Sequence, residues 1–477
     1  MEENFDFCVV GSGILATATC LRLSQKFPNS SIALIGPSLD PNAATRCAGA
    51  MINVVAEIPN DGFKYQPTME KLNLLLNAEA LWDDFCEEIS EVSGEVVPPP
   101  RGRTHVILNS RSTDIEVKTY AYIQNWLQQN QQVVEIQPHE VPGLKATDRG
   151  TPIRAMTVRD RHINPHKVLF SLQVALNRLG VKFFDDRVVD VDVARKTVKS
   201  ILLKNGFKLR ANVFVFANGF DPYGNGLHNK LGVMPIFANG GCALRLRRPA
   251  WVARKGGLGR SLEGLTDVIR MVDRGGACGI HLVPQGNGEF YLGASSAVWT
   301  NPEFIPKLAA TQVLLNSALN EINYEFWHYD VELIGNGFRP TTVDGLPLVG
   351  KTSFDNAYIL NGFKRDGFTC SPYVSKLLVE CIENESNVIP IFSPNRKVLS
   401  YKTKHDAIHD ALNVSFSSMY QHYQNISPLK IQGVRDADRR YIDEVYKAVR
   451  GDFGIHPEML HLYADKEFFN QFKRWVN

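Results

Sequence analysis

The apolar run FDFCVV, Phe5 to Val10, passes without a break into GSGILA, then into ILATATCLRLSQKF and a second apolar run, SIALIG. An apolar run of this length suits a buried strand, and Ile14, Ala18, Leu21 and Leu23 suit a helix packed on a sheet. Strand, glycine turn, helix and strand within about thirty residues form a βαβ unit. Gly11, Gly13 and Ala16 hold the three special positions of a dinucleotide-binding turn. Gly11 permits the tight bend, Gly13 lets backbone approach a pyrophosphate, and the small Ala16 lets helix and strand pack closely. Ser12 and Ile14 lie in the same cradle, where the helix N-terminus offers N–H groups and positive dipole to phosphates. The second strand of such a unit ends on an acid that holds a ribose hydroxyl. Here Gly36-Pro37-Ser38 stands at that point, which leaves Ser38 or Asp40 as candidate replacements.

A chain of 477 residues predicts two or three domains. Its net charge of +2 gives no global reason to bind a polyanion. One stretch departs from this balance: RLRRPAWVARKGGLGR, Arg245 to Arg260, has six basic residues and no acid. It reads as a solvated edge or as a rim for an anionic substrate. Eight scattered cysteines without a C-x-x-C pair point away from zinc and disulfides and toward a reducing compartment. No metal-ligand cluster is expected. The acidic start MEEN and the lack of a twenty-residue apolar window predict a cytoplasmic protein without a membrane span.

Further segments match the first unit. Residues 43–58, AATRCAGAMINVVAEI, bring small residues around Ala48, Gly49 and Ala50, so backbone can run close to something flat and large. NPHKVLFSLQVALNRLG has Asn164 as N-cap, Pro165 in the first turn and Gly180 as stop. It leads through VKFFDDRVVDVDV into RANVFVFANG, a strand ending at Ala217-Asn218-Gly219. The region from about 60 to 160 reads as less regular, and 233–329 as short strands with a hairpin at QGNGE. AYILNGFKRDGFTCSPYVSKLLVECI supplies a strand, a glycine-bounded loop and a helix starting near Thr369 to Pro372. The predicted fold class is α/β: a Rossmann-like nucleotide-binding domain (1–60, 160–232, 330–395) interleaved with a mostly antiparallel α+β substrate domain (61–159, 233–329). Residues 400–477 are expected to form a helical extension.

Six segments in order, GSGILA, TRCAGAMIN, VFVFANG, HLVPQGNGEFYLGAS, GFRPTTVDGLPLVG and NGFKRDGFTCSP, carry a family likeness from about residue 5 to 390. The chain resembles the FAD-dependent oxidoreductases of the D-amino-acid oxidase and glycine oxidase group. The resemblance implies FAD, with its pyrophosphate over Gly11 to Ala16 and its flavin near Arg46, Cys47, Ala48, Gly49 and Ala50. It also implies contacts from Val188 on the adenine side, from the strand end at Ala217 and Gly219, and from the loop Gly362 to Thr369 at the pyrimidine end. Asp366, Gly367, Phe368 and Thr369 lie in that loop, where a helix N-terminus with Lys364 and Arg365 would stabilise negative charge on the ring. Arg339 matches the family's substrate-carboxylate arginine, a role that suits the two-pronged, permanently charged guanidinium. The implied reaction oxidises the C–N bond of a carboxylate-bearing amine, an amino acid or N-substituted glycine, to an imine that hydrolyses. Positioning carries most of it, and no obligate side-chain base is required.

Other readings stand beside this one. Arg339 could instead be an ion pair joining two domains, and Lys364 and Arg365 could be ordinary loop charges. His162, His281 and His328 are isolated and read as structural or exposed. The loop GFKRDGFTCSP also resembles the FAD domain of the bacterial enzyme that trims carboxymethylaminomethyl uridine in tRNA, which would make nucleic acid a partner and 245–260 a phosphate rim. A third reading is a flavin-binding assembly subunit without turnover. It draws on 400–477, where Ile442, Val445, Tyr446 and Val449 share a face and Phe468, Phe469, Phe472 and Trp475 follow, a surface for a protein partner or a homo-oligomer.

Overall fold

The computed structural model describes residues 2–56, 58, 64–130, 134–254, 260–273, 279–299, 305–386, 389–421 and 427–476. The first strand, Glu2–Val10, ends in four buried residues. Phe7 and Val9 pack on one side of its sheet, Cys8 and Val10 on the other. A strand apolar on both faces belongs inside a parallel sheet covered on both sides. It pairs in parallel with Ile32–Ile35 and with Lys208–Phe216, and the parallel order extends to Lys182–Phe184 at one edge and Ala357–Asn361 at the other. Leu348–Lys351 adds an antiparallel strand beyond Ala357–Asn361. The helices Ile14–Lys26, Pro165–Arg178 and Gly367–Asn384 cover one face. The cradle unit and the later α-β-β-β segment therefore build one sheet, as their patterns predict.

Among the described residues, a second sheet of nine strands is antiparallel except for one pair, Val268–Met271 beside Thr104–Asn109. The predicted hairpin is present as His281–Gly286 and Glu289–Gly293. Its longest pairing joins Phe237–Arg247 to Asp330–Thr341. The expected domain boundary at 330 therefore falls at the start of a strand of this second sheet, and the chain returns to the parallel sheet only at Leu348–Lys351. The reason is local: eleven residue pairs fix that ladder before the turn at Thr342 to Gly345 breaks it.

The region 60–160 is more regular than its sequence suggests, with helices Gln66–Glu79, Trp82–Ser93 and Asp114–Gln129. Trp82, Phe85, Cys86 and Ile89 make a helical stripe, and Thr113 with Glu116 forms a reciprocal N-terminal cap. The stripe packs into the same core as Leu21 and Val374, so this part of the chain joins the helix layer of the parallel sheet. Residues 400–477 form helices as expected, including Lys404–Gln421, Ile431–Lys447 and Lys466–Val476. Their apolar face is spent within the chain: Ile442, Val445, Tyr446, Met459 and Phe472 pack on Phe214, Phe216, Leu348 and Ile359, on the sheet face opposite the other helices. Among the described residues, no helix is long and apolar enough to cross a membrane.

Candidate active site

Open parallel sheets bind ligands beyond the carboxyl ends of their strands, and a groove lies there, lined by Val10, Ile35 and Ala217.

At the cradle, Gly11 has φ +130°, and a Cβ there would stand 2.3 Å from the Ala217 carbonyl oxygen. Only glycine lets the two strand ends approach this closely. Gly13 caps the helix Ile14–Lys26, which has neither a side-chain cap nor an acid in its first turn. The Ile14 N–H donates to Thr45 Oγ1 at 3.1 Å, and the helix opens on the groove with its remaining first-turn N–H groups available to an anion. Gly11, Ser12, Gly13 and Ile14 line the groove. Ala16 is fully buried one step behind them, a packing place.

The acid missing after the second strand has a steric explanation. A Cβ on Gly36 would stand 2.8 Å from the Ser12 nitrogen, so no side chain fits there. Ser38 is not its replacement: its hydroxyl donates to Asp185 Oδ2 at 2.5 Å, and it does not line the groove. Asp40 does line it, ion-paired to Arg187 at 2.6 Å, and Arg187 also meets Asp221 at 2.5 Å. Val188 lines the same end. Arg187 and Asp221 were missed because no local pattern marks them, and the pair forms only when 187 and 221 fold beside residue 40.

In the 43–58 segment, Cys47, Ala48 and Gly49 line the groove, whereas Arg46 turns outward and donates to the Ser38 carbonyl. Burial pushes the Cys47 thiol up to about 11, against the pull of nearby Arg339. A Cβ on Gly49 would meet the Tyr291 ring at 2.8 Å, and the Tyr291 hydroxyl donates to the Cys47 carbonyl at 3.1 Å. Tyr291 stacks on His281, ring centres 5.8 Å apart, and both face the groove. His281, expected to be structural or exposed, is therefore part of the wall.

Ala217, Gly219, Asp366, Gly367, Phe368 and Thr369 also line the groove, while Gly362 sits behind it. The helix Gly367–Asn384 starts at Gly367, earlier than predicted, and contains Pro372. Proline removes one helical N–H, and Ser371 Oγ satisfies the Phe368 carbonyl instead at 2.9 Å. The helix again has no side-chain cap and no acid in its first turn. Its N-cap residue Asp366 is ion-paired to Lys71 at 2.6 Å. Lys364 and Arg365, expected beside the ring to stabilise its negative charge, both line the groove, and each carries an acid. Lys364 is paired with Glu458, and Arg365 with Asp273 at 2.8 Å. Buried cations are stable when paired, and tertiary packing supplies both acids.

Arg339 stands opposite, on the ladder where it pairs with Asn239. Its Nη1 donates to Asn239 Oδ1 at 3.2 Å and to the Ser295 carbonyl at 3.1 Å. A Cβ on Gly241 would lie 2.4 Å from both Nη atoms, so glycine makes the seat for the guanidinium. Among the described residues Arg339 has no carboxylate partner, unlike the domain-joining ion pair considered above. In the basic stretch, Arg245, Arg247 and Arg248 are paired with Glu332, Glu289 and Glu263, and Lys255 to Gly259 lie outside the described residues.

Comparison with known proteins agrees with this geometry. The chain is 23% identical over 412 residues to the bifunctional protein ThiO/ThiG of Synechocystis sp., covering 83% of this chain and 54% of that protein. It is 22% identical to the ThiO/ThiG of Nostoc sp., covering 80% and 53%. The chain thus spans about half the length of these curated relatives. In fold it is similar to glycine oxidase from Geobacillus kaustophilus, with TM-score 0.68, 18% identity, and coverage of 82% of this chain and 99% of that one. It is also similar to iminodiacetate oxidase from Chelativorans sp., with TM-score 0.64, 16% identity, and coverage of 81% and 98%. The family model for FAD dependent oxidoreductase, DAO, matches residues 6–381, and the chain belongs to that family of FAD-dependent oxidoreductases.

Proposed function

We propose that the protein oxidises the C–N bond of a small amine bearing a carboxylate, an amino acid or an N-substituted glycine, to an imine that water hydrolyses. The observation that carries this reading is Arg339: a groove-facing guanidinium seated on Gly241, held by two neutral oxygens and without a carboxylate partner among the described residues. A substrate carboxylate supplies what that guanidinium lacks, through two parallel charge-assisted hydrogen bonds. FAD supplies the hydride-accepting chemistry, and the two helix N-termini at Gly13 and Asp366, neither with an acid in its first turn, fit its negatively charged groups. The protein's contribution is orientation: Arg339 fixes the carboxylate end, so that the α-carbon is presented in one pose. The glycine oxidase and iminodiacetate oxidase folds favour the same class of substrate.

The test is anaerobic mixing of the yellow, FAD-loaded protein with glycine, sarcosine, D-amino acids and iminodiacetate, followed by its visible absorbance. Bleaching by at least one, lost in Arg339→Ala with FAD content retained, supports the proposal. Bleaching that persists in Arg339→Ala would overturn the assignment of the clamp, and no bleaching by any of them would overturn the substrate class.

A further inference from the structure

A residue beyond the family match reaches Lys364, which lines the groove, from behind. The short turn Pro457–Met459 carries Glu458 to Lys364, and the Glu458 side chain is only 7% exposed in that ion pair. Glu458 Oε2 accepts from Asn239 Nδ2 at 3.3 Å, and Oε1 accepts from Ser296 Oγ at 3.3 Å. Ser296 Oγ also lies 2.9 Å from Asn239 Oδ1, the atom to which Arg339 donates. One network therefore runs from the Arg339 guanidinium through Asn239 to Glu458 and Lys364. The turn is anchored on both sides: Met459 is fully buried, the Gly454 N–H donates to Ser400 Oγ at 2.8 Å, and the Ile455 N–H donates to the Tyr446 hydroxyl at 2.8 Å.

The consequence is a matter of charge. Four cationic side chains line the groove: Arg187, Arg339, Lys364 and Arg365. Arg187 is held by Asp40 and Asp221, Arg365 by Asp273, and Lys364 by Glu458. Without Glu458, the wall would present two groups that lack an acid among the described residues, the Arg339 guanidinium and the Lys364 amine. Such a wall suits a ligand with two carboxylates. With Glu458 in place, Lys364 is neutralised and offers a second carboxylate no free charge.

We propose that Glu458, delivered by the carboxy-terminal extension, is a specificity-determining residue that restricts this wall to ligands with a single carboxylate. The proposal rests on the reading of Arg339 as the carboxylate clamp. It gives the extension a role at the substrate site through Lys364, different from a surface for partners.

Isothermal titration calorimetry of the FAD-loaded protein with acetate and with malonate tests it without turnover. Wild type is expected to bind malonate no better than acetate. Glu458→Gln, which keeps shape and removes charge, is expected to shift the acetate-to-malonate Kd ratio toward malonate by about tenfold or more, the range of one charge-assisted contact. An unchanged ratio in a folded, yellow Glu458→Gln protein overturns the proposal. Lys364→Met gives an independent measurement should Glu458→Gln fail to fold. It leaves the Glu458 carboxylate uncompensated and is expected to weaken acetate about tenfold, whereas unaltered acetate binding overturns the proposal. Arg339→Ala separates the two ideas: acetate binding that survives it refutes the clamp, whatever ratio Glu458→Gln gives.

Discussion

Replacing Gly11 by alanine isolates the closest backbone approach in the cofactor groove. Two costs arise. At φ +130° an L-residue is strained by about 1–3 kcal/mol. The new Cβ would also stand 2.3 Å from the Ala217 carbonyl oxygen and 2.7 Å from its carbon. The oxygen is about 1 Å inside ordinary contact, and both partners are backbone at the ends of paired strands, Val10 beside Phe216. Neither can rotate away, so the turn and the start of the helix Ile14–Lys26 must shift. A displacement of about 1 Å takes N–H donors out of hydrogen-bond range, and each charge-assisted bond to phosphate contributes about 1.5–3 kcal/mol. Losing one or two raises the FAD Kd by about tenfold or more. The assay is titration of apoprotein with FAD, followed by quenching of flavin fluorescence, with circular dichroism to confirm folding. Gly206→Ala is the control: its φ is +87° and nothing lies within 4 Å of the added Cβ. It should lose about 1 kcal/mol of stability and no FAD affinity. Wild-type affinity in Gly11→Ala, or an equal loss in Gly206→Ala, would refute the reasoning.

Other expectations follow from the same structure. Arg339→Lys keeps the charge but loses the fork, so kcat/KM for a carboxylate-bearing amine should fall about 10- to 100-fold with FAD content unchanged; steady-state kinetics would show it. Burial pushes His456 down to about 3, aided by Lys364, and the positive groups around Glu458 hold it below the usual carboxylate range despite burial. Both folded values lie below their unfolded ones, so this stability is present above about pH 6.5 and is lost as pH falls. The His456 share is at most about 5 kcal/mol by pH 3. Protection factors for hydrogen exchange across 452–476, referenced to the intrinsic rate at each pH, should therefore fall between pH 6.5 and 3, and uniform protection over that range would contradict it. Phe472 is fully buried, with Phe237 at 6.0 Å and Tyr463 at 5.2 Å between ring centres, so Phe472→Ala should cost about 3–5 kcal/mol in denaturant unfolding. The raised Cys47 thiol should react with iodoacetamide at pH 8 far more slowly in the native protein than after denaturation.

Local patterns made much of this protein legible. The strand–GSGILA–helix unit determines a parallel sheet with an anion-binding helix end, because glycine placement and apolar period act over neighbouring residues. The GFRPTTVDGLPLVG segment likewise reads as a crossing between two sheets. It is one: Gly337 to Thr341 finish a strand of the antiparallel sheet, and Leu348–Lys351 begins again in the parallel one. The helical stripe of Trp82, Phe85, Cys86 and Ile89 is present in the sequence, but the core it joins, with Leu21 and Val374, comes from distant segments.

Tertiary structure alone decided the charges. Asp40 acquires Arg187, Arg365 acquires Asp273, and Lys364 acquires Glu458, partners 147, 92 and 94 residues apart in number. No period or motif relates such positions. Whether a lysine is a free cation or a neutralised one depends on which distant acid packing brings within a few ångströms. The sequence by itself determined the cofactor cradle and the arginine that faces it. The fold decided which of the neighbouring charges remain for a ligand, because electrostatic partners are chosen by proximity in space and their desolvation by what packs around them.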